Sequence, residues 1–229
     1  MEQLTALTSL HFNWADTPDH VWKDSPFHVD GLHTEVFAML DRGIREAAGS
    51  DGPSPIGLVL QGQKGIGKTH LLGLVRRQTH RMGGYFFLAD LTTGDAFWEN
   101  TVEALRGGLS RPDDTGDAQL TSFLGRVCQR AGIGAATEQI VTGQGLTRKQ
   151  VDAFMTGLRE LDRQVAVECA DVARALVLYA SADPATSYVG ESYLGQFEET
   201  KRGERRKWGI GPRPRSARSL CATSSGCSR

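Results

Sequence analysis

The 229-residue chain has no apolar run approaching the ~18 residues that a membrane-crossing helix needs. Its first twenty residues lack the basic start and apolar centre of a signal peptide, so a cytoplasmic location is the expectation. Cysteine is scarce: Cys128, Cys169, Cys221 and Cys227 are spaced for neither a zinc site nor a disulfide framework. No internal repeat is visible. No Asn/Thr-Lys-x-Asp segment occurs, which argues against a guanine-reading GTPase. What is present is an ordinary globular mixture, 39% hydrophobic and 23% charged, which excludes a chain disordered throughout.

The net charge of −1 conceals an asymmetry. Residues 201–229 hold nine of the 26 Lys and Arg but one of the 27 Asp and Glu, a charge of +8 against −9 for the rest. Such a segment can serve nucleic acid or another anionic surface.

Along the chain, Leu32, Val36, Phe37, Leu40 and Ile44 recur at helical spacing, and Gly49, Gly52 and Pro53 signal the end of that helix. Pro55–Gln61 is a short apolar run without helical period, suited to a buried strand. Thr69–Arg77 reads as a helix and Tyr85–Asp90 as a second strand. Beyond Asp95 the periodicity is helical. Phe97, Trp98, Val102 and Leu105 mark one helix, and Leu120, Phe123, Leu124 and Val127 a second. Thr147 and Gln150 form a capping box before Val151, Phe154, Met155, Leu158 and Leu161. Val167–Ser181 reads as a further continuous helix, and the run Ala175–Asp183, besides Phe86–Asp90 the other candidate for a hydrophobic strand ending in an acid, continues its helical pattern.

Residues 62–69 spell Gly-x-x-x-x-Gly-Lys-Thr, the phosphate-binding (Walker A) pattern. The glycines permit backbone angles that turn successive N–H groups toward phosphate oxygens, and the following helix points its positive end at the same anion. The expected nucleotide contacts are Gly62, Gln63, Lys64, Gly65, Ile66, Gly67, Lys68, Thr69 and His70. Lys68 would reach the β- and γ-phosphates, and the Thr69 hydroxyl would ligate Mg2+. ATP and Mg2+ are thus the expected cofactors. Weaker candidates surround this motif. His20, His28, Asp30 and His33 match no zinc pattern and read as surface histidines with a neighbouring acid. Trp22 and Phe27 could stack on an adenine ring or pack in a core. Asp90 could face the nucleotide or cap a turn, and Phe97 with Trp98 reads as core.

Val21–His33, Gln61–Leu72, Gly83–Leu88, Phe97–Glu99, Leu161–Gln164, Ala173–Leu178 and Trp208–Ile210 together resemble large bacterial AAA-type ATP-binding proteins, over roughly residues 20–210. The resemblance implies an α/β fold: a partial P-loop NTPase core of strand, P-loop, helix and strand, followed by a mostly α-helical block. In that group the strand carrying the metal-binding acid (Walker B) follows a helical insertion, beyond the Trp-Gly-Ile segment. No such strand is identifiable here, so hydrolysis is not expected, and the chain reads as an N-terminal part of such an ATPase. Residues Gly211–Arg229, with no acid, no Val, Ile or Phe and two of the four cysteines, read as an out-of-frame product of GC-rich DNA. Both strands would then lack their sheet partners, leaving a folded helical block beside a marginal nucleotide loop.

The expected organisation is an N-terminal segment over 1–30, an incomplete nucleotide-binding core over 31–94, a helical insertion over 95–200 and a basic tail over 201–229 that is unstructured or out-of-frame. The expected function is Mg-ATP binding, in an ATPase or ATP-driven switch, with a protein partner or self-association and no membrane contact. Two alternatives stand beside it: a helical protein-interaction module with a vestigial P-loop, and a nucleic-acid-binding ATPase that uses the basic tail.

Overall fold

A computed structural model describes residues 18–23, 31, 34–50, 57–63, 65–90, 97–134, 136–195 and 202–211. The expectations placed on Phe27, His28, Asp30, His33, Gly52, Pro53, Lys64, and on residues 1–17 and 212–229, lie outside these. The chain divides into two compact units, Met1–Phe86 and Phe87–Arg229.

The α/β expectation is overturned. Among the described residues there is no strand, and the one β feature is an isolated antiparallel bridge between Pro112 and Ala118. The protein is mostly helical, whereas a P-loop core needs a central sheet. Residues 57–61 and 85–90, read above as strands, have neither helical nor ladder structure. The physical reason lies in pairing: an apolar run becomes a strand only when a neighbouring segment completes its ladder. Here no described segment does so, and Val59 is left 93% exposed.

In the first unit a 3-10 turn at Pro18–Trp22 is followed by α1 (Thr34–Ala48) and α2 (Lys68–Arg81). The turn packs on α2: the buried Arg76 donates from Nε to the Val21 carbonyl at 2.9 Å. A Cβ on Gly73 would lie 3.5 Å from the same oxygen, so the helix face is narrow where the turn crosses it. Trp22 meets Phe86 edge-to-face, with ring centroids 5.4 Å apart. Leu40 of α1 and Leu71 of α2 are buried, and Gln78 donates to Asp41, tying the two helices together.

The second unit is a helical assembly with its own core. Its elements are α3 (Phe97–Leu109), α4 (Gln119–Arg130), α5 (Thr137–Thr142), α6 (Arg148–Leu161), α7 (Arg163–Glu168), α8 (Ala170–Tyr179), α9 (Pro184–Leu194) and α10 (Arg202–Lys207). The stripe read from the sequence of α6 is the buried one: Val151, Phe154, Met155 and Leu158 face the core with Leu124, Ile140, Val177 and Leu178. Leu161 is the exception and remains 45% exposed, because it falls in the last residue of the helix. The capping box opens α6, with the Thr147 N–H donating to Gln150 Oε1 at 2.6 Å.

The continuous helix expected over Val167–Ser181 is instead broken at Cys169, which separates α7 from α8. Residues 175–179 are helical, and Asp183 turns the chain into α9 by accepting from the Thr186 N–H at 3.1 Å. Gly143 anchors this turn. Its φ of 66° is left-handed, its carbonyl accepts from the Ala182 N–H at 2.9 Å, and a Cβ there would come 2.0 Å from the Ala180 carbonyl oxygen.

Residues 202–211 correct the expectation of an unstructured tail from residue 201. They form α10 and then insert Trp208 and Ile210, both buried, into the helical core. The Gly211 N–H donates to Asp171 Oδ1 at 3.2 Å, and Arg148 Nη1 donates to the Lys207 carbonyl at 3.0 Å. Trp208–Ile210, quoted above only for a resemblance, is thus a pair of apolar anchors. Among the described residues no helix is long and apolar enough to cross a membrane.

Candidate functional site

The glycine-rich loop lies at the start of α2, where the sequence motif placed it. Gly65 and Gly67 both adopt left-handed backbone angles, with φ of 88° and 93°. An L-residue with a Cβ pays roughly 1–2 kcal/mol for that conformation, which explains glycine at both positions. Gly62 is glycine for a different reason: a Cβ there would sit 2.9 Å from Ile66 Cγ2, so the loop closes on its own side chain. The Ile66 N–H donates to the Gln63 carbonyl at 3.4 Å, and the first helical bond runs from the Leu71 N–H to the Gly67 carbonyl at 2.9 Å.

Three features make this helix end receptive to an anion. Gly67 supplies no side-chain cap, and the first turn contains no acidic residue. The positive end of the helix dipole is therefore not neutralised locally. Third, Lys68 folds back over the loop: its Nζ donates to the carbonyls of Gly62 at 2.7 Å and Gln63 at 2.8 Å. An ammonium has three N–H donors, so two hold the loop and one can be given to a phosphate oxygen. Thr69 and His70 follow within the first turn, both half-buried. The structure thus brings Gly62, Gln63, Gly65, Ile66, Gly67, Lys68, Thr69 and His70 together as one turn of loop and helix. Lys64, the ninth residue of the motif, lies outside the described residues.

The weaker candidates fall elsewhere. Trp22 is engaged with Phe86 in the first unit. His20 is half-buried in the 3-10 turn, and among the described residues no group of three His, Cys, Asp or Glu side chains is arranged to hold a metal ion. Asp90 is exposed and belongs to the second unit, as does Phe97, which is 45% exposed rather than core. The return of Lys68 to its own loop carbonyls carries no sequence signal beyond the motif itself. Comparison with protein-family models, with curated proteins and with solved structures returns no match.

Proposed function

We propose that the chain binds the phosphates of Mg-ATP through Gly62–Thr69. The observation that carries this reading is the conjunction at one helix end: two left-handed glycines, an uncapped first turn free of acids, and the Lys68 ammonium held over the loop. In this reading backbone N–H groups and Lys68 receive the phosphate oxygens, and the Thr69 hydroxyl offers a ligand to the accompanying Mg2+. Turnover is negligible, because no acid is identified that would position an attacking water.

Titration of the full chain with a fluorescent ATP analogue, with and without Mg2+, tests the reading. Lys68→Ala removes a charge-assisted contact worth about 1.5–3 kcal/mol, a loss of roughly 10- to 150-fold in affinity. Equal affinity in wild type and Lys68→Ala would show that the loop is not the site. The second reading, a helical interaction module with a vestigial loop, draws support from the exposed Val165 and Val167 of α7. It requires that the chain bind no nucleotide.

A further inference from the structure

The insertion of Trp208 and Ile210 fixes α10 against the beginning of α6 and the middle of α8. The consequence is a gathering of positive charge from three elements. Arg148 and Lys149 come from the first turn of α6, Arg174 from α8, and Arg205, Arg206 and Lys207 from the last turn of α10. Gly209 is the pivot. A Cβ on it would lie 3.4 Å from Arg174 Nε and 3.6 Å from Arg148 Nη2, so two guanidinium groups flank a single glycine.

Three observations distinguish this face from an ordinary solvated surface. Cations in the first turn of a helix add to a dipole end that is already positive, so Lys149 stands where α6 gains nothing from its charge, whereas Arg148 is held by Asp152 and by the Lys207 carbonyl. Arg174 Nε is buried, and among the described residues it has no hydrogen-bond partner. Third, the cations outnumber the acids nearby, which keep their charge in the contacts they make. Asp152 pairs with Arg148 at 3.5 Å, Asp171 accepts from the Gly211 N–H, and Asp183 caps α9. Glu204 is the one acid within α10.

We propose that this face binds the sugar–phosphate backbone of double-stranded nucleic acid, independently of the nucleotide loop. Arginine forks match phosphate oxygens, and cations on a seated helix can meet successive phosphates without first being ordered. A lipid surface fits less well. The apolar residues here, Trp208 and Ile210, are buried in the core rather than offered to a bilayer. For the same reason no exposed aromatic is present on α10 to stack a single-stranded base.

The full-length chain is titrated with a labelled 20-base-pair DNA duplex, an RNA duplex of equal length, inorganic phosphate, and phosphatidylserine vesicles. The expected result is duplex binding whose logarithm falls with log salt at a slope of about −3 to −5, set by several phosphate contacts. Lys149→Glu/Arg206→Glu should weaken it at least roughly tenfold with an unchanged circular dichroism spectrum. The milder Lys149→Gln/Arg206→Gln serves if the charge reversal perturbs folding. Arg213→Ser/Arg215→Ser/Arg218→Ser and Lys68→Ala should each retain affinity. The DNA and RNA arms identify which duplex is preferred. Failure of wild type to bind either duplex, binding to vesicles alone, or loss in the Arg213/Arg215/Arg218 variant with retention in the Lys149/Arg206 variant would each overturn the proposal.

Discussion

Gly190 shows how little room the helical unit leaves. A methyl group at this position would lie 2.4 Å from the Tyr179 nitrogen and 2.5 Å from the Ala175 carbonyl oxygen. The obstacle is backbone, which cannot rotate out of the way as a side chain can. Gly190→Ala is therefore expected to destabilise the unit by about 1–3 kcal/mol or more through overpacking, read as a lowered urea midpoint. The same reasoning separates the loop glycines: Gly65 and Gly67 are required by their dihedral angles, Gly62 by the proximity of Ile66. All three were visible in the sequence as members of a motif. Gly143 and Gly190 were not, since their necessity comes from residues distant in the chain, and Gly209 is required by its own left-handed φ of 73°.

At the scale of elements, α9 depends on one carboxylate. The Thr186 hydroxyl and N–H both donate to Asp183 and hold its pKa below the ordinary aspartate value, with a smaller contribution from Lys207. A depressed acid stabilises the fold above its unfolded pKa of about 3.9, and that stabilisation disappears as pH falls through the lower folded value. Wild type should therefore lose stability between pH 4 and the folded pKa more steeply than Asp183→Asn, which caps without titrating. Parallel denaturation curves for the two proteins through this range would refute the assignment. Helices were the legible part of the sequence: the stripe of α6, its capping box and the end of α1 at Gly49 all follow from local pattern, while α1 starts at Thr34 rather than Gly31. The two strand readings failed because a strand is completed by another segment, and the apolar character of Leu58–Leu60 cannot say whether that segment is present. The interruption at Cys169 escaped notice because no glycine or proline marks it; Asp162 begins α7 as its cap, and α8 restarts on Ala170.

For the whole molecule, the two units differ in how much they bury. Among the described residues the first encloses Val21, Leu40 and Leu71, whereas the second has a contiguous core running from Leu109 to Ile210. Opening free energy follows buried apolar contact, so hydrogen exchange should be slowest in α6, α8 and α9 and markedly faster in α1 and the extended residues 57–61. Uniform protection across both units would contradict this division. The phosphate motif was fully readable from the sequence, but its setting was not, because loop chemistry is local and sheet completion is global. The seated Trp208 has a practical side as well. An indole buried beside a cationic helix, with Lys207 Nζ 5.3 Å from its ring centroid, is an optical gauge of that helix. In a variant whose Trp14, Trp22 and Trp98 are replaced by phenylalanine, its emission would redden and become open to acrylamide quenching when α10 leaves the core, so the seating of the basic face can be followed without any attached label.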